Sequence, residues 1–248
     1  MANTDATPAG RLAGRVVLVT GASSGMGRAT AIACAQEGAD VALVARRHLA
    51  LEEVAARIAA VGRRVAVFPI DLTDRRAVGE SLASATERLG PIDVVVHAAG
   101  TNIRERALQV LSEEGWREVI ETNLSAALHV TQAAVPLMRG RGGRIIYVSS
   151  LAVQRPDTSG VAYQASKHGL VGLAHGTMQE EKGNGIRTTV IFPGLTDTPL
   201  ILKRPVPTPP EILARALQPE DVAAACLFVA ALPLRASVPE LQLAPAEI

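Results

Sequence analysis

Aromatic side chains are almost missing from this 248-residue chain, where Phe, Trp and Tyr together make up 2%. That scarcity argues against a base-stacking platform for single-stranded nucleic acid. An excess of one charge is missing too. With 25 Lys+Arg against 24 Asp+Glu the formal net charge is +1, so no basic field draws the chain to nucleic acid. The two cysteines, Cys34 and Cys226, sit in Ala-rich runs that read as helices, and they read as free, buried, small apolar residues. Neither they nor the five histidines fall at metal-ligand spacing, so no metal is expected. No uninterrupted apolar run reaches about 18 residues, which excludes an obvious membrane span. The stretch Met1–Gly14 is polar and lacks the apolar core of a signal peptide, so residues 1–13 read as a flexible lead and a cytoplasmic protein is expected. Lysine and tyrosine are scarce as well: Lys167, Lys182 and Lys203, and Tyr147 and Tyr163.

What is present alternates. Short β-branched runs at Arg15–Thr20, Val41–Ala45, Arg64–Phe68, Ile92–Val96, Gly143–Ser149 and Arg187–Phe192 read as strands. Between them, Ser24–Glu37, Leu49–Val61, Asp74–Leu89, Ser112–Met138, Tyr163–Lys182 and Glu220–Ala231 read as helices, with a possible last strand at Glu240–Ala244. Strands this apolar are buried on both faces, as parallel strands between helix layers are. The expected fold is therefore α/β: a Rossmann-type, doubly wound parallel sheet in three αβα layers, one domain over residues 14–248. The five prolines between Leu195 and Pro210 exclude a regular helix or inner strand there, and the segment about 195–212 reads as a substrate loop.

Two motifs carry chemistry. Thr20–Gly27 joins the first strand to the first helix with glycines at 21, 25 and 27. Gly21 allows a sharp turn, Gly25 lets backbone approach a pyrophosphate, and Gly27 permits close packing of helix on strand. The helix N-terminus then offers free N–H groups to phosphate. The second strand ends at Ala45, followed by Arg46 and Arg47, with no carboxylate to accept a ribose 2′-hydroxyl. Two guanidiniums suit a 2′-phosphate, so NADP(H) is expected over NAD(H). The second motif, Tyr163-Gln-Ala-Ser-Lys167, puts a phenol and an ammonium on one helix face. With so few tyrosines and lysines, such a pair arises by chance with an expectation of only ~0.02. A nearby cation stabilises phenolate and lowers a pKa that is ordinarily about 10. Ser150 ends a buried strand, where open α/β sheets place ligands.

Taken together, Thr20-Gly-x-x-x-Gly-x-Gly27, Asp71, Asn123, Ser150, Tyr163-x-x-x-Lys167 and Pro193-Gly194 resemble the short-chain dehydrogenase/reductase family in order and spacing, over roughly Leu12–Ala231. The resemblance implies that Tyr163 is the general acid and base. It further implies that Lys167 lowers the Tyr163 pKa and holds the nicotinamide ribose, that Ser150 stabilises the substrate oxygen, and that Asn123 positions a proton-relay water. The family's spacing selects Ser150 over Ser149. By the same resemblance, the cofactor contacts are Gly21, Ser23, Ser24, Gly25, Met26, Gly27, Arg46, Arg47, the adenine pair Asp71 and Leu72, Ala98, Ala99 and Gly100 by backbone, Tyr163, Lys167, and the loop residues Pro193, Gly194, Thr196 and Thr198. The family commonly forms homodimers or homotetramers through its long helices.

Two departures stand out. The family's Asn-Asn-Ala-Gly appears as His97-Ala-Ala-Gly100, for which a structural role of His97 is expected, and the usual Gly-rich segment after the last helix is absent. Arg104, Arg106 and Arg155 fall in segments expected to line the substrate pocket. Either one of them grips an anionic group, such as a small acid's carboxylate, or all are solvated loop residues, the simpler reading. The leading expectation is an NADP(H)-dependent carbonyl reductase or alcohol dehydrogenase acting on a small molecule. The alternative is a non-catalytic NADP(H)-binding regulator, and a Rossmann-like methyltransferase finds no support in the Tyr/Lys or Arg pairs.

Overall fold

The computed structural model describes residues 10–247. Seven strands, β1 (Val16–Thr20), β2 (Asp40–Ala45), β3 (Val65–Pro69), β4 (Val94–His97), β5 (Gly143–Val148), β6 (Ile186–Pro193) and β7 (Glu240–Leu243), form one sheet in the order β3-β2-β1-β4-β5-β6-β7. Every pairing is parallel, with Val19 opposite Leu43 on one side and Val96 on the other. Parallel neighbours need a crossover, and helices supply it. They are α1 (Gly25–Gln36), α2 (His48–Ala60), α3 (Arg75–Leu89), α4 (Glu113–Ile120), α5 (Ala126–Met138), α6 (Val161–Glu181), the single turn α7 (Pro210–Leu213) and α8 (Pro219–Ala231).

Strand alternation divides the core in two. Val17, Val19, Val41 and Leu43 pack with Cys34 of α1, Leu51 of α2 and Cys226 of α8. Leu18, Ala42, Val44 and Val95 face the other way, onto Leu82 of α3, Ala134 of α5 and Leu170 of α6. The two halves of the order part between β1 and β4, and the crevice beyond the carboxyl ends there is where such sheets take ligands.

Three expectations change. Residues 1–9 of the expected lead lie outside the described residues, but its last part is anchored: Leu12 is fully buried and donates its N–H to the Glu37 carbonyl at 2.8 Å, beside an Arg11–Glu37 ion pair. An apolar side chain that can reach the gap by α1 is worth more there than in water. The single helix expected over Ser112–Met138 is broken by a π-turn at Glu121–Ser125, which turns Asn123 inward. The Pro-rich segment holds short helical turns after all, a 3₁₀ turn at Pro199–Lys203 and α7, each opening on a proline. At that first position the missing N–H has no partner to lose. The segment is closed at its base by the Thr196–Leu217 bridge, so it leaves and rejoins the domain at one place.

Candidate active site

A cleft of about 350 Å³ runs across the carboxyl ends of β1, β2, β4 and β5. It begins at the turn after β1. Gly21, at φ +68°, lies so close to the next loop that a Cβ would fall 2.8 Å from the Ala99 backbone, and a Cβ on Gly27 would fall 2.4 Å from the Gly21 carbonyl oxygen. Only hydrogen fits at either position. Ser24 precedes α1 without its side chain capping the helix, so the first-turn amides are left for another acceptor. Gly21, Ser23, Ser24, Gly25, Met26, Gly27, Arg46, Arg47, Asp71, Leu72, Ala98, Ala99, Gly100, Tyr163, Lys167 and Thr198 all line this cleft. Pro193, Gly194 and Thr196 instead line a second, adjoining cavity of about 220 Å³, together with Ser150 and again Tyr163.

At the far end of the cleft, Arg47 donates to Ser23 Oγ at 3.1 Å and thereby bridges the end of β2 to the Gly-rich turn. Arg46 reaches only to 3.9 Å from the Asp71 carboxylate and is largely exposed. Asp71 accepts the Thr73 amide and hydroxyl at 2.9 Å each. The amide first, then the hydroxyl and the nearby Arg46, hold its carboxyl below the usual range against some desolvation.

The other end is built around Lys167. One turn of α6 below Tyr163, its side chain is buried, and Nζ donates to the Val148 carbonyl at 2.9 Å. Nζ stands over the Tyr163 ring, 5.7 Å from its centre. Burial pushes the ammonium down to about 8. The phenol of Tyr163 does not come down as expected. Burial raises it, and Asp157 adds to the rise; the Ser150 hydroxyl, Arg106 and Arg204 offset this only in part. The cation that was expected to lower it stands over the ring, and desolvation penalises phenolate as it does ammonium. Ser149 and Ser150 both line the second cavity but diverge in bonding: Ser149 Oγ spends its proton on the Lys167 carbonyl at 3.0 Å, while Ser150 Oγ accepts the Ala152 amide at 3.2 Å and keeps its proton to donate.

Asn123 lines neither cavity. Fully buried, it accepts the Thr101 amide at 2.6 Å and donates to the Thr101 carbonyl at 3.0 Å and to Ser166 Oγ at 2.9 Å. It clamps the segment after β4 to α6 between Tyr163 and Lys167. It does not bond its own helix, because the π-turn points it away. Beside it, a Cβ on Gly100 would fall 3.2 Å from Lys167 Nζ. His97 is buried at 3.0 Å from Thr20 Oγ1, tying β4 to β1, and burial pushes it down to about 3, so it is neutral.

Several lining residues fall in the segments expected to form the substrate pocket, 101–111, 151–159 and the Pro-rich loop, but the sequence does not single them out there. Lys203 donates to Thr101 Oγ1 at 2.7 Å across the mouth of the cleft. Asn102, Asp157 and Arg204 line the second cavity with Arg106 and Arg155, whereas Arg104 does not and reaches the Leu202 carbonyl at 3.4 Å. Nearness to strand ends could have flagged Asn102. Nothing in the sequence marks Arg204 within a Pro-rich loop. Among the described residues no group of three His, Cys, Asp or Glu side chains could hold a metal, and no helix is long and apolar enough to cross a membrane.

The model of a short chain dehydrogenase matches residues 15–205. Among curated proteins, the chain is 35% identical over 247 residues to glycine betaine reductase ATRR of Emericella nidulans; the match takes in 96% of this chain but only 19% of that much longer protein. Among solved structures, carveol dehydrogenase from Mycobacterium avium in complex with NAD is similar with a TM-score of 0.87 and 27% identity, covering 95% of this chain and 98% of that one. An alcohol dehydrogenase from Thermococcus sibiricus complexed with 5-hydroxy-NADP is similar with a TM-score of 0.85 and 30% identity, covering 94% and 97%.

Proposed function

The chain belongs to the short-chain dehydrogenase family of oxidoreductases, and from that premise we propose that it interconverts a small carbonyl compound and its alcohol with NADP(H). One observation carries the reading: Tyr163 stands in the wall common to the cleft along the Gly-rich turn and the second cavity, with Ser150 on the cavity side and Lys167 on the cleft side. A nicotinamide cofactor, when bound, supplies or accepts the hydride. The chain's own residues handle the oxygen. Tyr163, whose raised pKa keeps its phenol protonated at neutral pH, gives its proton to the carbonyl oxygen in reduction. Ser150 donates a hydrogen bond to the same oxygen and stabilises its developing charge. Lys167, pinned by the Val148 carbonyl, presents a buried cation to the cofactor side of the phenol. Asn123 is a positioning residue that holds Thr101 and α6 in register.

The cofactor choice rests on Ala45, Arg46 and Arg47. The end of β2 offers two guanidiniums and no carboxylate, and Arg47 already leans onto the Gly-rich turn. The similar structures hold NAD in one case and an NADP derivative in the other, so the arginines carry this point alone. A homodimer or homotetramer belongs to the proposal, supported by the exposed Trp116 on α4 and Leu128 on α5. So does a cytoplasmic location, which the two free buried cysteines suit.

The decisive experiment is Tyr163→Phe in a carbonyl and alcohol panel with all four nicotinamide cofactors. Turnover should fall at least ~10²-fold while NADPH binding persists. A wild type that binds NADPH but turns over nothing would make the chain a cofactor-binding regulator instead. Arg46→Asp should weaken NADPH on the order of tenfold or more and spare NADH; tighter NADH than NADPH in the wild type would sink the cofactor assignment.

A further inference from the structure

Resting on the oxidoreductase reading above, we propose that the substrate is a small carbonyl compound bearing an oxyanion group, carboxylate or phosphate, which Arg106 and Arg204 grip across the second cavity from Ser150 and Tyr163. The cavity's charged lining is lopsided. Three arginines, 106, 155 and 204, face one aspartate, Asp157, in a chain whose net charge is only +1. Asp157 is occupied elsewhere, accepting the Ser159 amide at 2.9 Å. Among the described residues no carboxylate comes within 4.0 Å of any of the three guanidiniums.

Two of them converge from distant segments. Arg106 follows β4, and Arg204 lies in the Pro-rich excursion after β6. They are close enough that Arg204, after burial, lowers the basicity of Arg106, and both stabilise phenolate at Tyr163. Two like charges brought together repel. Asp157 offsets part of this at Arg106 without forming an ion pair with it, and an anion between the two guanidiniums relieves the rest. Arg106 also keeps Nε buried with no hydrogen-bond partner, while Arg204 spends one nitrogen on Thr208 Oγ1 at 3.0 Å. Buried donors are normally satisfied, so an orphaned one on a residue that lines the cavity points to an acceptor that arrives with the ligand.

The position of Arg106 is built rather than incidental. Its stem lies on Gly160, at φ +97°, where a Cβ would fall 2.7 Å from the Arg106 Cβ. The start of α6 therefore gives up a side chain to make room for this one. A guanidinium presents paired donors that match carboxylate and phosphate oxygens. In a cavity of about 220 Å³ the distance from such an anion to the oxo carbon is short, so the substrate is small. Arg155, exposed at the rim, adds attraction at long range.

The test compares matched pairs: pyruvate, acetoacetate and levulinate against their methyl esters, and dihydroxyacetone phosphate against dihydroxyacetone. In the wild type at least one anionic member should exceed its neutral partner in kcat/KM by on the order of 10- to 100-fold. A carboxylate and a phosphate source are told apart by which pair shows the preference. In Arg106→Ala with Arg204→Ala the ratio should collapse towards one, mainly through KM, and Arg106→Lys should restore part of it. Because both members of a pair share any effect on Tyr163, the ratio isolates the anion contact. Calorimetric titration with the unreactive dianion glutarate gives a readout without turnover: binding by the wild type, loss in the double variant. Turnover of neutral ketones with no anion preference, and no glutarate binding, overturns this site and leaves the oxidoreductase reading intact. Glutarate bound by the wild type and lost in the double variant, with no carbonyl or alcohol turned over, upholds the anion site and sinks the oxidoreductase reading.

Discussion

Replacing Lys167 by Met should stabilise the nucleotide-free protein at neutral pH and cost it its activity. The ammonium is buried against one carbonyl, Val148 O, and its pKa falls from 10.5 to about 8 because burial penalises its charge. Such a fall corresponds to about 3 kcal/mol of unfavourable charge burial. The sign follows from proton counting. Below pH 8 both states carry the proton and the folded state bears the full penalty. Between pH 8 and 10.5 the unfolded state binds the proton and the folded state does not, so wild-type stability rises with pH. Above 10.5 both are neutral and the gain is complete. Met fills similar space and does not titrate. Urea unfolding of wild type and Lys167→Met at several pH values should therefore give a difference that shifts by about 3 kcal/mol in favour of the wild type between pH 7 and 10.5. A difference flat across that range would refute the burial argument. A variant that folded better at neutral pH yet reduced no carbonyl would show a charge kept for use at a cost in stability.

Asn123→Ala strands the Thr101 amide and carbonyl in the interior and should lower stability by about 2–5 kcal/mol in urea unfolding; a loss below about 1 kcal/mol would mean that Asn123 is no clamp. Gly27→Ala drives a methyl into the Gly21 carbonyl oxygen and should destabilise the fold by about 1–3 kcal/mol while weakening nucleotide binding, read by melting temperature with and without NADPH. Ultraviolet titration should find less tyrosinate near pH 10 in the nucleotide-free protein than free tyrosine would give, because burial raises Tyr163 and pushes Tyr147 up to about 12. Adding NADP⁺ should bring the Tyr163 step down through the positive nicotinamide and leave Tyr147 in place; Tyr163→Phe identifies the step.

Much of the fold was legible because parallel strands buried on both faces write themselves as unbroken apolar runs. β1, β2 and β5 fall within a residue of their expected ends for that reason. The Gly-rich turn was legible because steric demand there tolerates one residue type, and the Cβ distances at Gly21 and Gly27 express the same demand. Features that depend on meeting rather than on type were not legible. The π-turn at Glu121–Ser125 leaves the helical pattern of its neighbours intact, yet it decides whether Asn123 bonds its own backbone or Thr101. Tyr163-x-x-x-Lys167 correctly put two side chains on one helix face, but one face does not fix how deeply they are buried. Depth set the sign of the Tyr163 shift.

Arg204 makes the same point at the substrate end. In sequence it is one arginine of many, separated from Arg106 by 98 positions and set in a Pro-rich segment that reads as a substrate loop without showing which of its side chains reaches the site. Its significance comes from the Thr196–Leu217 closure, which brings the excursion back over the second cavity. There two cations face one phenol. Periodicity can find the sheet edge at which chemistry happens. Selectivity for a substrate is assembled from loops, and only their return path says which charges meet.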